Sequence, residues 1–265
     1  MPSTASHPFD ASDADIILRS SGPEPVDFRV YRQILVLSSP VFATMFTLPQ
    51  SQSAGNEVDI PVVELSEGAD ILDPLLRFIY PVARPNIQTL DAMTPLLEAA
   101  SKYDLAVVPG TLRYKLLSTS ILEKEPLRVY AIAMRYGFEE EAKIVPPYTL
   151  RTKLLHTPLI KELEHISGYA YHRLILMYCK RGSEAARLLD TWNPRCRYDS
   201  TACTQWMDDY KRRAREELLV RPAGDSIFIS SFIWARHTFC GNTGCELSKG
   251  LESLRAQIDV LPDTI

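Results

Sequence analysis

The chain has 265 residues, of which 46% are hydrophobic and 23% are charged, and its formal net charge is -4. These proportions are typical of folded globular proteins, so they argue against a disordered chain and leave room for one large domain or two of ordinary size. Because the net charge gives no bulk attraction for phosphate backbones, we expect no direct binding to nucleic acid.

The N-terminal region predicts a tail and then a strand. Residues 1–12 are mostly polar and predict a disordered tail, without the basic start and apolar run of a secretory signal. Asp15 then precedes Ile16 and Leu18, whose alternation indicates a strand. No apolar run reaches the roughly 18 to 20 residues that cross a bilayer, so we expect no membrane association. We expect a cytoplasmic or nuclear protein.

Residues 29–48 read RVYRQILVLSSPVFATMFTL and predict two short consecutive helices. The Ser38-Ser39-Pro40 segment separates them, since serine followed by proline is typical of a helix start. The apolar residues of the first helix are Ile34, Leu35 and Leu37, and those of the second are Val41, Phe42, Met45 and Phe46.

Three further elements follow an irregular segment, residues 49–56, which predicts an exposed loop. Residues 59–65 indicate a strand. The segment LLRFIYP, residues 75–81, predicts the end of one helix, and residues 93–105 predict another.

The order and spacing of these motifs resemble a BTB/POZ domain, a protein-interaction module, over residues 13–121. Every fixed position of the family pattern Leu-x-x-x-Ser-x-x-Phe-x-x-Met-Phe is matched. The matching residues are Leu35, Ser39, Phe42, Met45 and Phe46. The family's His before the basic residue is absent, since Tyr31 precedes Arg32. The resemblance implies an α+β fold, a helical cluster flanked by a small and mostly antiparallel sheet.

The resemblance also implies a homodimer. In BTB domains that dimerise, the first strand and first helix of two chains exchange and pack across a two-fold axis. The corresponding interface residues here are Asp15, Ile16, Leu18, Arg32 and Leu35. Asp15 and Arg32 match the family's buried acid and its basic partner. The alternative is that Asp15 only caps the adjoining turn and that Arg32 is exposed.

Residues 122–265 predict an all-helical second domain of six or seven helices. Pro126 follows a break and begins an apolar stripe that Gly137 ends, and residues 139–144 form a helix closed by prolines. Further helices are predicted over residues 159–178, 183–189, 207–218 and 247–261. This half resembles the helical extensions that follow BTB domains in many fungal proteins.

Four cysteines are the one candidate for a cofactor. Cys196 and Cys203 form one pair, and Cys240 and Cys245 form a second, in segments rich in turn-forming residues. Four thiolates, or three with His237, would suit a tetrahedral zinc ion, although the first pair is spaced more widely than in common structural sites. The alternatives are free thiols and a disulfide. We therefore expect no cofactor, with zinc as the alternative.

No nucleophile elbow, Walker loop or H-E-x-x-H motif is present, so we expect an interaction protein rather than an enzyme. The first hypothesis is that the protein is a scaffold or adaptor, and one form of it is a substrate adaptor that recruits a cullin-type ubiquitin ligase scaffold. The second hypothesis is a transcription-associated regulator. Family members that dock a cullin often carry an apolar-x-acidic motif after the second helix, whereas this chain has Leu48-Pro49-Gln50-Ser51, without an acid.

Overall fold

The computed structural model describes residues 2–47, 60–194, 201–229 and 246–265. The chain divides into two compact units, Met1–Ser118 and Thr119–Ile265. We refer to them as the BTB unit and the helical unit. Each has its own buried core and is described separately.

The BTB unit contains a four-stranded sheet in the order β1-β3-β2-β4. Its strands are β1 (Ser3–Thr4), β2 (Ile16–Arg19), β3 (Val26–Val30) and β4 (Val62–Glu64). β2 and β3 pair antiparallel, whereas β1 with β3 and β2 with β4 pair parallel. The sheet is therefore mixed rather than mostly antiparallel. Helices between β2 and β4 provide the long crossover that a parallel pair requires.

Five helices complete the described part of the BTB unit. They are α1 (Arg32–Ser38), α2 (Pro40–Met45), α3 (Ala69–Ile79), α4 (Leu90–Lys102) and α5 (Val107–Leu116). The predicted boundary between the first two helices is confirmed. Ser39 has extended backbone, and its hydroxyl accepts a hydrogen bond from the Phe42 amide, while Pro40 occupies the first helical position. The side chain thereby satisfies an amide that the start of the helix would otherwise leave unpaired.

The first residues differ from the predicted disordered tail. Ser3–Thr4 pair with β3, and Phe9 is fully buried. The Phe9 ring lies 5.7 Å from the Phe28 ring and 5.2 Å from the Tyr80 ring, centroid to centroid. One large aromatic side chain therefore anchors a segment whose polar composition had indicated mobility.

Helices make up the helical unit in the part of the chain that the structure describes. They are α6 (Thr119–Lys124), α7 (Pro126–Arg135), α8 (Glu139–Ile144), α9 (Pro146–Thr149), α10 (Gly168–Thr191), α11 (Thr201–Val220) and α12 (Glu246–Asp259), with short 3-10 helices at Leu154–His156, Lys161–His165 and Gly224–Ser226. Gly137 follows α7 with φ +68°, a conformation that favours glycine.

The predicted helix over residues 159–178 is wrong in part. A 3-10 turn occupies Lys161–His165, and α10 begins only at Gly168. Ser167 has extended backbone and its hydroxyl accepts from the Ala170 amide, so it starts a new helix. The separately predicted helix at residues 183–189 belongs to the same α10, which is 24 residues long.

One core cluster of the helical unit lies between α10, α11 and α12. Its fully buried members include Leu189, Tyr210, Leu218 and Ile258. A Cβ at Gly182 of α10 would lie 3.0 Å from the Leu218 carbonyl oxygen, so glycine permits α10 and α11 to approach closely. No described helix is both long enough and apolar enough to cross a membrane.

Candidate interaction surface

The outer face of α1 carries the most exposed large apolar side chain of the described BTB unit. Leu35 is fully buried, whereas Leu37, two residues later, is 76% exposed. Two residues correspond to about 200° around a helix, so these leucines point to opposite sides. Gln33, one turn before Leu37, is also exposed, and Ile34 is half-buried. We call Gln33, Ile34 and Leu37 the α1 outer face.

Sequence reasoning missed this surface, because it grouped Leu37 with Ile34 and Leu35 as the apolar residues of one helix without assigning them to different faces. The spacing contained a signal. Three apolar residues at positions 34, 35 and 37 cover too much of a helix circumference to face one side. At least one of them therefore had to face away from the core.

Asp15 and Arg32 are joined, but through the backbone of Arg32. The Asp15 carboxylate accepts a 2.7 Å hydrogen bond from the Arg32 amide, the first in α1. Arg32 instead places its guanidinium 5.2 Å from the centre of the Phe46 ring. Asp15 is exposed and Arg32 is half-buried. Asp15 thus pairs with an amide at the start of α1, which differs both from a buried charge pair and from the alternative of a capped strand turn with an exposed Arg32.

Ile16, Leu18 and Leu35 form part of the protomer's own core. Each is fully buried within the single chain. On β2 the first two face the core because they lie at alternate positions, paired with Val30 and Phe28 of β3. Side chains that are already covered add no apolar area to a surface, so Leu37 is the better candidate for a contact with another chain.

A hydrogen-bond network, buried at Ser39 and reaching the surface at Lys102, stabilises the α1–α2 corner. The Ser39 hydroxyl donates to the Tyr103 carbonyl at 2.5 Å, and the Tyr103 ring stacks on Phe42 at 4.8 Å between centroids. The Tyr103 hydroxyl in turn donates to Glu67, which also accepts from Lys102 at 2.8 Å. These contacts hold α2 against α4 and fix the orientation of the corner.

Glu67 is ionised within this network. Burial alone would raise the pKa of its carboxyl, but hydrogen bonds from Lys102 and Tyr103 outweigh burial and lower the pKa below its ordinary value. Burial and the hydrogen bond to Glu67 raise the pKa of Tyr103, so its hydroxyl stays protonated and donates. Lys102 and Tyr103 therefore stabilise the negative charge of Glu67 at the corner.

The predicted zinc ligands fall outside the part of the chain that can be described. Cys203 lies within α11, and its side chain, like Cys196, His237, Cys240 and Cys245, is outside the described residues. Among the residues that are described, no group of three or more His, Cys, Asp or Glu side chains is arranged to hold a metal ion. The zinc site stays a prediction.

A family model matches the BTB unit, and two known proteins match part of the chain. Residues 9–119 match the family model of the BTB/POZ domain. TD and POZ domain-containing protein 5 of Mus musculus is 32% identical over 79 residues, which are 30% of this chain and 22% of that protein. TD and POZ domain-containing protein 3 of Mus musculus is 30% identical over 79 residues, 30% of this chain and 20% of that protein.

The class of domain follows from the fold and these matches together. A small sheet, two short helices joined at a serine cap and three further helices form an interaction domain, and residues 9–119 are a BTB/POZ domain. The chain spans only about a fifth of the length of the two mouse relatives. The likeness of the helical half to fungal extensions stays a prediction.

Proposed function

We propose that the chain is a homodimeric adaptor, in which the BTB unit joins two copies and the helical unit holds another protein. The dimer is proposed because Leu37 of α1 is 76% exposed. The domain that contains it belongs to a class that mediates protein interactions. Burying a leucine side chain stabilises an association by about 1.5 to 3 kcal/mol. In a two-fold dimer the same side chain contributes twice.

The proposed dimer rests on the α1 outer face rather than on strand exchange. β1 already pairs with β3 of its own chain, and β2 is an internal strand of the sheet. The backbone hydrogen bonds of β1 with β3, and of β2 with both of its neighbours, are therefore formed within one chain. An interface centred on α1 leaves the sheet of each copy intact, and it requires no unfolding of the N-terminal segment.

Recruitment of a cullin-type scaffold is the narrower version of the adaptor role. The loop that would carry the acidic docking motif reads Leu48-Pro49-Gln50-Ser51 and lies outside the described residues. Its lack of an acid favours a general adaptor over a ligase subunit. The transcription-associated role uses the same dimer and differs in what the helical unit holds.

The dimer is tested by the mass of the purified chain in solution. Light scattering at tens of micromolar should give twice the chain mass of 29.9 kDa. Leu37→Asp should shift the mass toward the monomer, because two buried carboxylates would face each other across the axis. The control is Leu159→Asp, the same change at a side chain 86% exposed in the helical unit.

Each result has a definite meaning. A wild-type chain that stays monomeric at tens of micromolar contradicts the dimer. A dimer that persists in Leu37→Asp shows that the interface lies elsewhere on the chain. Circular dichroism of both variants should match that of the wild type, because both positions are exposed.

A further inference from the structure

The long helix α10 has two faces with different roles. One face, which includes Leu174, Tyr178 and Arg181, is buried and packs toward α11 and α12. The opposite face is exposed along its whole length. Its members are Tyr169, His172, Arg173, Leu176, Cys179, Lys180, Ser183 and Arg187, which we call the α10 outer face.

Three cations lie on this face at intervals of seven residues. Arg173, Lys180 and Arg187 are exposed, and seven residues of helix correspond to about 10.5 Å. None of them forms an ion pair with another described residue. Glu184 lies one turn from Lys180 and Arg187, is half-buried, and forms no ion pair with either. Asp190, exposed at the C-terminal end of the same face, pairs with Arg215 of α11. The face thus carries a line of three cations without ion pairs to described residues, on a chain whose net charge is -4.

Two apolar side chains lie beside the cations. Tyr169 is 73% exposed and Leu176 is 55% exposed, seven residues apart, and the next two positions of this repeat are polar, Ser183 and Asp190. The Arg173 guanidinium lies 5.8 Å from the centre of the Tyr169 ring. A seven-residue repeat drifts only about 20° around a helix, so both lines remain on one side of α10.

We propose that the α10 outer face binds an amphipathic helix of a partner protein, with apolar residues along its centre and acidic residues along one edge. This deepens the adaptor role proposed above, since it names the surface that holds the partner. A seven-residue repeat of apolar residues flanked by charges is the pattern by which two helices pack side by side and select each other by charge. Complementary charge also favours the encounter of the two proteins.

The alternatives fit the face less well. A nucleic acid needs several basic side chains along its phosphates, whereas this face offers one line of cations about 10.5 Å apart with Leu176 at its centre. A membrane surface requires a wide apolar face as well as basic residues, and the described α10 outer face has two large apolar side chains, Tyr169 and Leu176. The experiment below also tests a nucleic acid and a membrane surface as ligands.

The test uses a synthetic 21-residue helix of about three heptads, with leucine at the seam and glutamate along one edge. We expect saturable binding of the fluorescent peptide to the full chain. The triple variant Arg173→Glu, Lys180→Glu, Arg187→Glu should weaken binding by at least about 10-fold. The matched control is Lys143→Glu, Arg212→Glu, Arg255→Glu, which makes the same change of charge at exposed positions outside α10. It should change binding by less than about 2-fold.

A position-specific readout comes from Cys179, an exposed free thiol in the middle of the face. Peptide binding should slow alkylation of Cys179, measured by mass spectrometry of the fragment that contains it. The peptide with glutamine in place of glutamate should bind at least about 5-fold more weakly. Equal binding of both peptides, equal binding by both triple variants, or unchanged alkylation would each overturn the proposal.

Further measurements distinguish an acidic helix from other ligands of this face, and peptide binding from dimerisation. Binding of phosphatidylserine vesicles or of a DNA duplex in place of the peptide, lost in the α10 triple variant, would overturn the choice of an acidic helix. Leu37→Asp should bind the peptide as the wild type does, because Leu37 is not on α10. A failed dimer with intact peptide binding therefore contradicts only the dimer, and the reverse result contradicts only the α10 surface.

Discussion

The BTB unit and the helical unit each shield a charged group from water, and they hold it in different ways. In the BTB unit, the half-buried Glu67 carboxylate accepts from two donors, Lys102 and Tyr103, at the corner that carries α2. In the helical unit, the Arg181 guanidinium is buried and donates to carbonyls of Pro222, Ile258 and Leu261. In the BTB unit, side-chain donors pair with the charge of Glu67 and position the corner. In the helical unit, backbone carbonyl dipoles stabilise the charge of Arg181.

The difference shows why the two units respond to different changes. The contacts of Glu67 depend on pH, because Lys102 and Tyr103 donate more strongly to the ionised carboxylate than to the protonated carboxyl. Arg181 remains protonated even though burial lowers the pKa of its guanidinium. It satisfies carbonyls at the C-terminal end of α12, where the helix dipole favours a positive charge. Packing and geometry, rather than pH, govern that contact.

Among changes that compare the two units, Phe42→Ala in the BTB unit should cause the largest loss in the free energy of unfolding. Phe42 is 1% exposed and stacks on Tyr103, so its removal leaves a cavity and should lower the free energy of unfolding by about 3 to 5 kcal/mol. The measurement is a urea titration followed by far-UV circular dichroism. Phe46→Ala is the control, since Phe46 is half-buried and should lose clearly less. A loss below about 1 kcal/mol for Phe42→Ala would refute its place in the core.

Arg181→Met should produce the next largest effect, in the helical unit. The change removes a donor from the Ile258 and Leu261 carbonyls near the end of α12 and from the Pro222 carbonyl just after α11, and we expect a loss of about 2 to 3 kcal/mol. All three tryptophans lie after residue 190, so tryptophan fluorescence during urea unfolding reports on the helical unit. Arg181→Lys should restore little, because one ammonium group cannot reproduce the planar fork of donors.

The control for Arg181 is Arg255→Met on α12. Arg255 is exposed, and its one ion pair with a described residue is that with Asp259 at 3.7 Å, so its loss should change the unfolding free energy by less than about 0.5 kcal/mol. Equal losses for the two arginines would show that the three carbonyl contacts do not stabilise the unit.

Glu67→Gln should have the smallest effect at neutral pH, about 1 kcal/mol, together with a distinctive pH dependence. The pKa of Glu67 is lowered in the folded protein, so its stabilising contribution is present above the unfolded pKa of about 4.5 and is lost as pH falls through the folded pKa. The difference between wild type and Glu67→Gln should therefore shrink as urea titrations move from pH 7 to below pH 4.5. The exposed Glu64, changed to Gln, is the control. A difference that is independent of pH would contradict an ionised Glu67.

Local patterns in the sequence predicted much of the fold. The serine and proline between α1 and α2 specify a helix start through nearest neighbours, and the boundary appears at Ser39 as predicted. Gly137 ends α7, and residues 139–144 form a helix with the predicted bounds. Caps and breaks of this kind depend on side chains within a few residues of one another, and a sequence displays them directly.

Contacts between distant residues were decided only by the tertiary structure. Phe9 becomes a core residue because it meets Phe28 and Tyr80, and Leu37 becomes a surface residue because the core covers only one side of α1. Arg181 reaches carbonyls 41 to 80 residues away. The α10 outer face emerges in the same way, since helical periodicity shows that a helix has faces but not which one its neighbours cover. The sequence by itself therefore determined the BTB/POZ resemblance and most helix ends, while packing decided which side chains remain available to a partner.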